Sequence, residues 1–132
     1  MIAGAVALVV VATTFPFQPR TDPAWVADKL ADIDWRLVTG RVDYDLVQNL
    51  LLMVPLGVAL ACTGRVRRPR HVAVEAALVA AALSVGVEAL QVFLPGRYPQ
   101  LPDVLANVCG CFGASAVSAG LRGMHAHENR TA

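Results

Sequence analysis

The chain has 132 residues, of which 56% are hydrophobic and 16% charged, and its mean hydropathy is +0.55. This composition is too apolar for a typical soluble domain, and it predicts a small membrane protein with a single domain over residues 1–132. The formal net charge of +1 argues against a nucleic-acid-binding protein, because such a protein needs a basic face for phosphates.

Four apolar segments predict membrane-spanning helices, at 1–17, 45–63, 72–94 and 103–121. The first is at the short limit for a span. Pro55 and Gly57 predict a kink in the second, since proline removes a backbone donor. Small residues in the fourth predict close helix packing, at Ala106, Gly110, Ala114 and Ser118. The predicted fold is all-α: an integral membrane four-helix bundle.

The polar stretch between the first two spans predicts an amphipathic helix over residues 22–39. Asp22 suits the N-cap, Pro23 the first helical position, and Gly40 the stop. The apolar face carries Val26, Leu30, Ile33 and Leu37, and the opposite face carries Asp28, Lys29, Asp32 and Arg36. We expect this helix to lie on the membrane surface as a lid over a pocket. The alternative is an ordinary surface helix that covers the end of the bundle.

Basic residues predict the orientation of the chain. The loop at 64–71 holds four arginines and no acidic residue, which is typical of a cytoplasmic loop. Four spans then place both termini in the cytoplasm. The amphipathic helix and the turn between the third and fourth spans become extracytoplasmic, so the predicted location is the cytoplasmic membrane with several passes.

Polar side chains inside the apolar helices cluster at the extracytoplasmic end. Six of them form pairs spaced three or four residues apart, so the members of a pair lie on one helix face. The pairs are Asp45 and Asn49, Glu88 and Gln91, and Asp103 and Asn107. Because polar groups are costly inside a bilayer, such a cluster indicates a functional site. The candidate ligand-binding residues are Asp45, Asn49, Glu88, Gln91, Arg97, Asp103 and Asn107. Each also has a structural explanation as a helix cap, an interhelical hydrogen bond or a headgroup contact.

In their order along the chain these motifs resemble the VanZ-like family, over roughly residues 43–114. The matching pieces are Asp45-x-x-x-Asn49, Pro55-Leu56-Gly57, Glu88-x-x-Gln91, Arg97, and Asp103-x-x-x-Asn107 with Gly110 and Gly113. Members are small bacterial membrane proteins, and the name-giving one is associated with low-level teicoplanin resistance. The resemblance implies a role in the bacterial cell envelope, and it brings no established catalytic residues.

Three classes of function follow from the polar cluster. A binding protein would use Arg97 and the amides to hold an anionic or amide-rich headgroup, such as that of a lipid-linked wall precursor or a glycopeptide. An enzyme would use Glu88 with Asp45 or Asp103 as acid and base, with or without a divalent ion. However, no Ser-His or Cys-His pair can form on that face. The third class is a purely structural bundle. Binding is favoured, with membrane lipids as partners and no cofactor or metal predicted.

Overall fold

The computed structural model describes residues 1–33, 44–63 and 68–131, and regular secondary structure within these ranges consists of helices, with no β-strand. The helices are α1 (Ile2–Thr14), α2 (Pro23–Ala31), α3 (Tyr44–Leu52), α4 (Val54–Ala61), α5 (Pro69–Gln91) and α6 (Leu101–Thr131). The all-α fold class is therefore confirmed. The arrangement of four membrane spans stays a prediction.

Two helices are long and apolar enough to cross a membrane. They are α5 and the part of α6 over Leu101–Asn129, with mean hydropathies of 1.8 and 1.6. Only 39% and 33% of their apolar windows are buried inside the protein. Large apolar side chains such as Leu78, Val85 and Val117 are more than half exposed. A core helix of a soluble protein would bury most of this surface, so these faces suit contact with lipid.

The apolar helix α1 is shorter than the predicted span over residues 1–17. It has 13 residues, which correspond to about 20 Å of helix. The hydrocarbon core of a bilayer is about 30 Å thick. By itself α1 therefore does not reach across a bilayer of ordinary thickness. It packs against α4 and α5, and Val9 is almost completely buried there.

The predicted second span consists of two helices, α3 and α4, with a break at Met53. Pro55 lies in the first turn of α4, where its missing N–H needs no partner within the helix. The interruption lies at the place where the sequence predicts a kink. Met53 and Leu56 are fully buried, so the break is part of the packed core.

The long helix α6 packs against α3, α4 and α5. At Gly110 its backbone approaches α3 so closely that a Cβ atom would collide with the carbonyl oxygen of Leu50. The close packing predicted for this position is thereby confirmed. Helix α6 also continues to Thr131, beyond the predicted end of the fourth span at Leu121.

The predicted beginning of the amphipathic helix is confirmed, and its predicted end at residue 39 lies outside the described residues. Asp22 is the N-cap of α2 and accepts a hydrogen bond of 2.9 Å from the backbone N–H of Trp25, with Pro23 at the first position. Helix α2 ends at Ala31, and its C-cap is Asp32. The later part of the predicted helix, 34–39, lies outside the described residues.

Candidate functional site

The turn between α5 and α6 brings several predicted site residues to one end of the protein. Helix α5 ends in backbone hydrogen bonds from the N–H groups of Phe93 and Leu94 to the preceding turn. Gly96 then adopts a φ of 76°, a backbone conformation that residues other than glycine rarely adopt. This reversal places Arg97 beside the end of α1.

A polar cavity of about 690 Å³ lies at this end of the helices. Its size is within the range of small-molecule sites. It is lined by four of the predicted site residues, Asn49, Gln91, Arg97 and Asp103. We call it the polar cavity below. Sequence reasoning missed other polar groups in its lining, Thr13, Gln48, Tyr98 and Gln100. For Gln48, its position next to Asn49 near the beginning of the second predicted span is a signal in the sequence.

Two side chains of the polar cavity bind backbone carbonyls near the end of α1. The Nε2 amide of Gln91, a buried side chain, donates to the carbonyl oxygen of Thr13 at 3.4 Å. The Nη2 group of Arg97 donates to the carbonyl oxygen of Phe15 at 3.3 Å. The last carbonyls of a helix have no partner within the helix, so these contacts satisfy otherwise unpaired acceptors. A guanidinium has five N–H donors, and this is the hydrogen bond that the exposed Arg97 side chain makes to the described residues.

Glu88 lines a second cavity, which differs in character from the polar cavity. It has a volume of about 410 Å³ and lies between α2, α5 and α6. Its lining is apolar apart from Glu88 and Gln100. One carboxylate oxygen of Glu88 accepts a hydrogen bond of 2.9 Å from the backbone N–H of Gln100. We call this the apolar cavity. The single pocket predicted from the sequence is thus two neighbouring cavities in the structure.

The two remaining candidate residues are placed differently from the others. Asn107 is 3% exposed, and its Oδ1 atom has no hydrogen-bond partner among the described residues. It does not belong to the described lining of either cavity. The backbone of Asp45 belongs to α3, and its side chain lies outside the described part of the structure. Of these two residues, the described lining of the polar cavity thus contains neither.

Lys29 is the residue whose position sequence reasoning misjudged most. It was predicted on the polar, outward face of the amphipathic helix, but it is only 6% exposed. Its Nζ atom donates a hydrogen bond to the carbonyl oxygen of Arg97 and lies 3.6 Å from the centroid of the Tyr98 ring. The Trp25 ring lies 5.4 Å away on the same helix. Because a carbonyl and two rings surround the ammonium group, its burial is compensated.

Electrostatics at Lys29 reflect the same environment. Burial lowers the pKa of Lys29 from its ordinary value, and the nearby negative charge of Asp32 opposes that shift. The side chain joins α2 to the α5–α6 turn, directly beside Arg97 of the polar cavity. Lys29 thereby holds the backbone from which Arg97 projects.

These features together define a small helical protein with a polar cavity at one end and two helices whose exposed apolar faces suit contact with lipid. The chain belongs to the VanZ/LLP1 family, whose profile matches residues 3–119. The resemblance seen in the sequence motifs is thereby confirmed. Family membership and the two apolar helices together indicate a membrane protein. No curated protein and no solved structure matches the chain significantly.

Proposed function

We propose that this protein binds the anionic headgroup of an envelope molecule in the polar cavity, at the extracytoplasmic surface of the bacterial cytoplasmic membrane. Candidate ligands are a lipid-linked wall precursor and a glycopeptide such as teicoplanin, and binding would contribute to glycopeptide resistance. Membership in the VanZ/LLP1 family supports a membrane protein with a role in antibiotic resistance. The chemistry of the polar cavity supports an anionic headgroup as the part of the ligand that is bound.

The observation that carries the proposal is the guanidinium of Arg97 in a cavity lined by amides. Its hydrogen bond to the Phe15 carbonyl orients the side chain, and within the described part of the chain the other N–H donors stay available for a ligand. Such donors suit two-point contact with a phosphate or a carboxylate. The amide side chains of Asn49, Gln91 and Gln100 line the same cavity and can recognise amide or hydroxyl groups of the same ligand.

Catalysis by a pair of carboxylates fits this geometry less well than binding. Glu88 lines the apolar cavity and Asp103 lines the polar cavity, so a ligand that occupied both would meet the two carboxylates at different parts of its length. A general acid and a general base must both reach the same substrate within hydrogen-bond distance. The arrangement therefore favours a binding function.

The proposal can be tested by removing the charge of Arg97 in cells. An Arg97→Gln variant should fold and should lose any glycopeptide resistance that the wild-type protein confers. Arg20→Gln is the matched control, because the Arg20 guanidinium lies 5.6 Å from the Trp25 ring and is not part of the described cavity lining. Resistance that survives in Arg97→Gln at the wild-type level would contradict the proposal.

A further inference from the structure

The apolar cavity has the dimensions and the lining of a hydrocarbon site. Its walls come from three helices, with Val26 and Leu30 on α2, Ala89 on α5 and Val104 on α6. An apolar cavity of about 150 Å³ is sufficient to bind benzene. At about 410 Å³ this cavity has room for a considerably longer hydrocarbon group. Val85, which also lines it, is 59% exposed, so the cavity borders the surface that suits lipid contact.

The apolar cavity and the polar cavity meet at a single residue. Gln100 belongs to the lining of both. Its backbone N–H is held by the carboxylate of Glu88 from the apolar side. Arg97, the cation of the polar cavity, is only three positions earlier in the same turn. A molecule with a charged end and a hydrocarbon end can therefore occupy both cavities by passing Gln100.

We propose that the two cavities form one site for an amphiphile with an anionic headgroup. The headgroup binds Arg97 in the polar cavity, and one hydrocarbon chain lies in the apolar cavity under α2. This inference rests on the proposed function and narrows it to a membrane-resident ligand. It also assigns a role to the apolar face of α2, which forms one wall of the chain site through Val26, Leu30 and Ile33.

Alkyl phosphates of different chain length test the inference, with the full-length protein in phosphatidylcholine nanodiscs. The probes are ethyl phosphate and dodecyl phosphate, and calorimetry measures their dissociation constants. The variant Ala89→Phe fills the apolar cavity. Ala82→Phe is the matched control, because Ala82 is an exposed alanine two turns earlier on the same face of α5 and is not part of the described cavity lining.

The wild-type protein should bind dodecyl phosphate at least tenfold more tightly than ethyl phosphate. Ala89→Phe should weaken the binding of dodecyl phosphate at least tenfold and leave that of ethyl phosphate unchanged, whereas Ala82→Phe should resemble the wild type for both. Partitioning of dodecyl phosphate into the bilayer is the same for all variants, so it cancels when a variant is compared with the wild type. If Ala89→Phe does not fold, Val104→Phe fills the cavity from α6.

Three results would overturn the inference. Unchanged binding of dodecyl phosphate to a folded cavity-filling variant would show that the hydrocarbon chain lies elsewhere. If ethyl phosphate still binds in that case, the headgroup site and the proposed function stand. Equal losses in Ala89→Phe and Ala82→Phe would show a general effect of the bilayer surface. If neither phosphate binds to the wild type, Arg97 does not form an anion site, and the proposed function fails together with the inference.

Discussion

The ammonium group of Lys29 lies 3.6 Å from the centroid of the Tyr98 ring and donates a hydrogen bond to the carbonyl oxygen of Arg97. This contact joins two segments 68 positions apart in the chain. Helix α2 is thereby fixed against the turn that carries Arg97. The contact connects the wall of the apolar cavity to the cation of the polar cavity.

Replacement of Lys29 by methionine should loosen α2 from the turn. Methionine keeps much of the apolar stem but loses the hydrogen bond and the cation–π contacts, which together contribute about 1–3 kcal/mol. We expect a lower melting temperature and faster amide hydrogen exchange in residues 97–100. Asp28→Asn is the control, because it removes a charge from an exposed position on the same helix. Equal exchange in Lys29→Met and the wild type would contradict the anchoring role.

The N-cap of α2 should contribute measurably to the order of that helix. Asp22→Ala removes the carboxylate that accepts a hydrogen bond from the backbone N–H of Trp25. Loss of such a cap typically lowers the stability of a helix by about 0.5–2 kcal/mol. Hydrogen exchange in residues 23–31 should therefore become faster. Thr21→Ala, one position outside the cap, should leave exchange unchanged. A cap variant that exchanges like the wild type would show that packing alone orders α2.

Two glycines of α6 should respond oppositely to the same substitution. A Cβ at Gly110 would collide with the Leu50 carbonyl, so Gly110→Ala must separate α6 from α3 and lower the melting temperature. At Gly113 a Cβ meets no atom within 4 Å. Gly113→Ala should be neutral or stabilising by up to about 1 kcal/mol, because alanine favours the helix. Similar melting temperatures for the two variants would contradict the close approach at Gly110.

Glu88 should act in folding mainly as a hydrogen-bond acceptor for Gln100. Glu88→Gln keeps an acceptor oxygen, and we expect a change in stability of no more than about 1–2 kcal/mol. Glu88→Leu removes the acceptor and leaves a partly buried N–H unpaired, which should cost about 1–3 kcal/mol. Thermal unfolding in detergent compares the two. If Glu88→Gln is destabilised as much as Glu88→Leu, the charge itself is required for folding.

The predicted orientation is tested by labelling single cysteines in a cysteine-free variant. A cysteine at Gln100 should react with an impermeant thiol reagent in intact cells, because the turn is predicted to be extracytoplasmic. A cysteine in the loop at 64–71 should be protected, because its arginines predict a cytoplasmic position. The reverse labelling pattern would invert the topology and place the polar cavity on the cytoplasmic side.

Much of this arrangement follows from local rules that a sequence displays. Helical spacing and the turn between the third and fourth predicted spans are sufficient to predict that Gln91, Arg97 and Asp103 lie at one end of the protein. The cap of α2 was predictable for the same reason, since it depends on neighbouring residues.

Features that depend on long-range packing were not predictable. The burial of Lys29 requires a carbonyl and a ring from a turn far away in the chain, and amphipathic periodicity places lysine outside by default. Gln100 lines both cavities, and its backbone N–H donates a hydrogen bond to Glu88 from beyond the end of α5. Spacing alone places Glu88 and Gln91 on one helix face, and it cannot show that they line different cavities.

The central claim is that the polar cavity holds an anionic envelope ligand through Arg97. It is tested most directly by mass spectrometry of molecules that co-purify with the protein from bacterial membranes in a mild detergent. We expect the wild type and Arg20→Gln to retain the same anionic molecule, and a folded Arg97→Gln variant to lose it. Retention of that molecule by Arg97→Gln at the wild-type level, or an identical set of bound molecules in all three proteins, would contradict the claim.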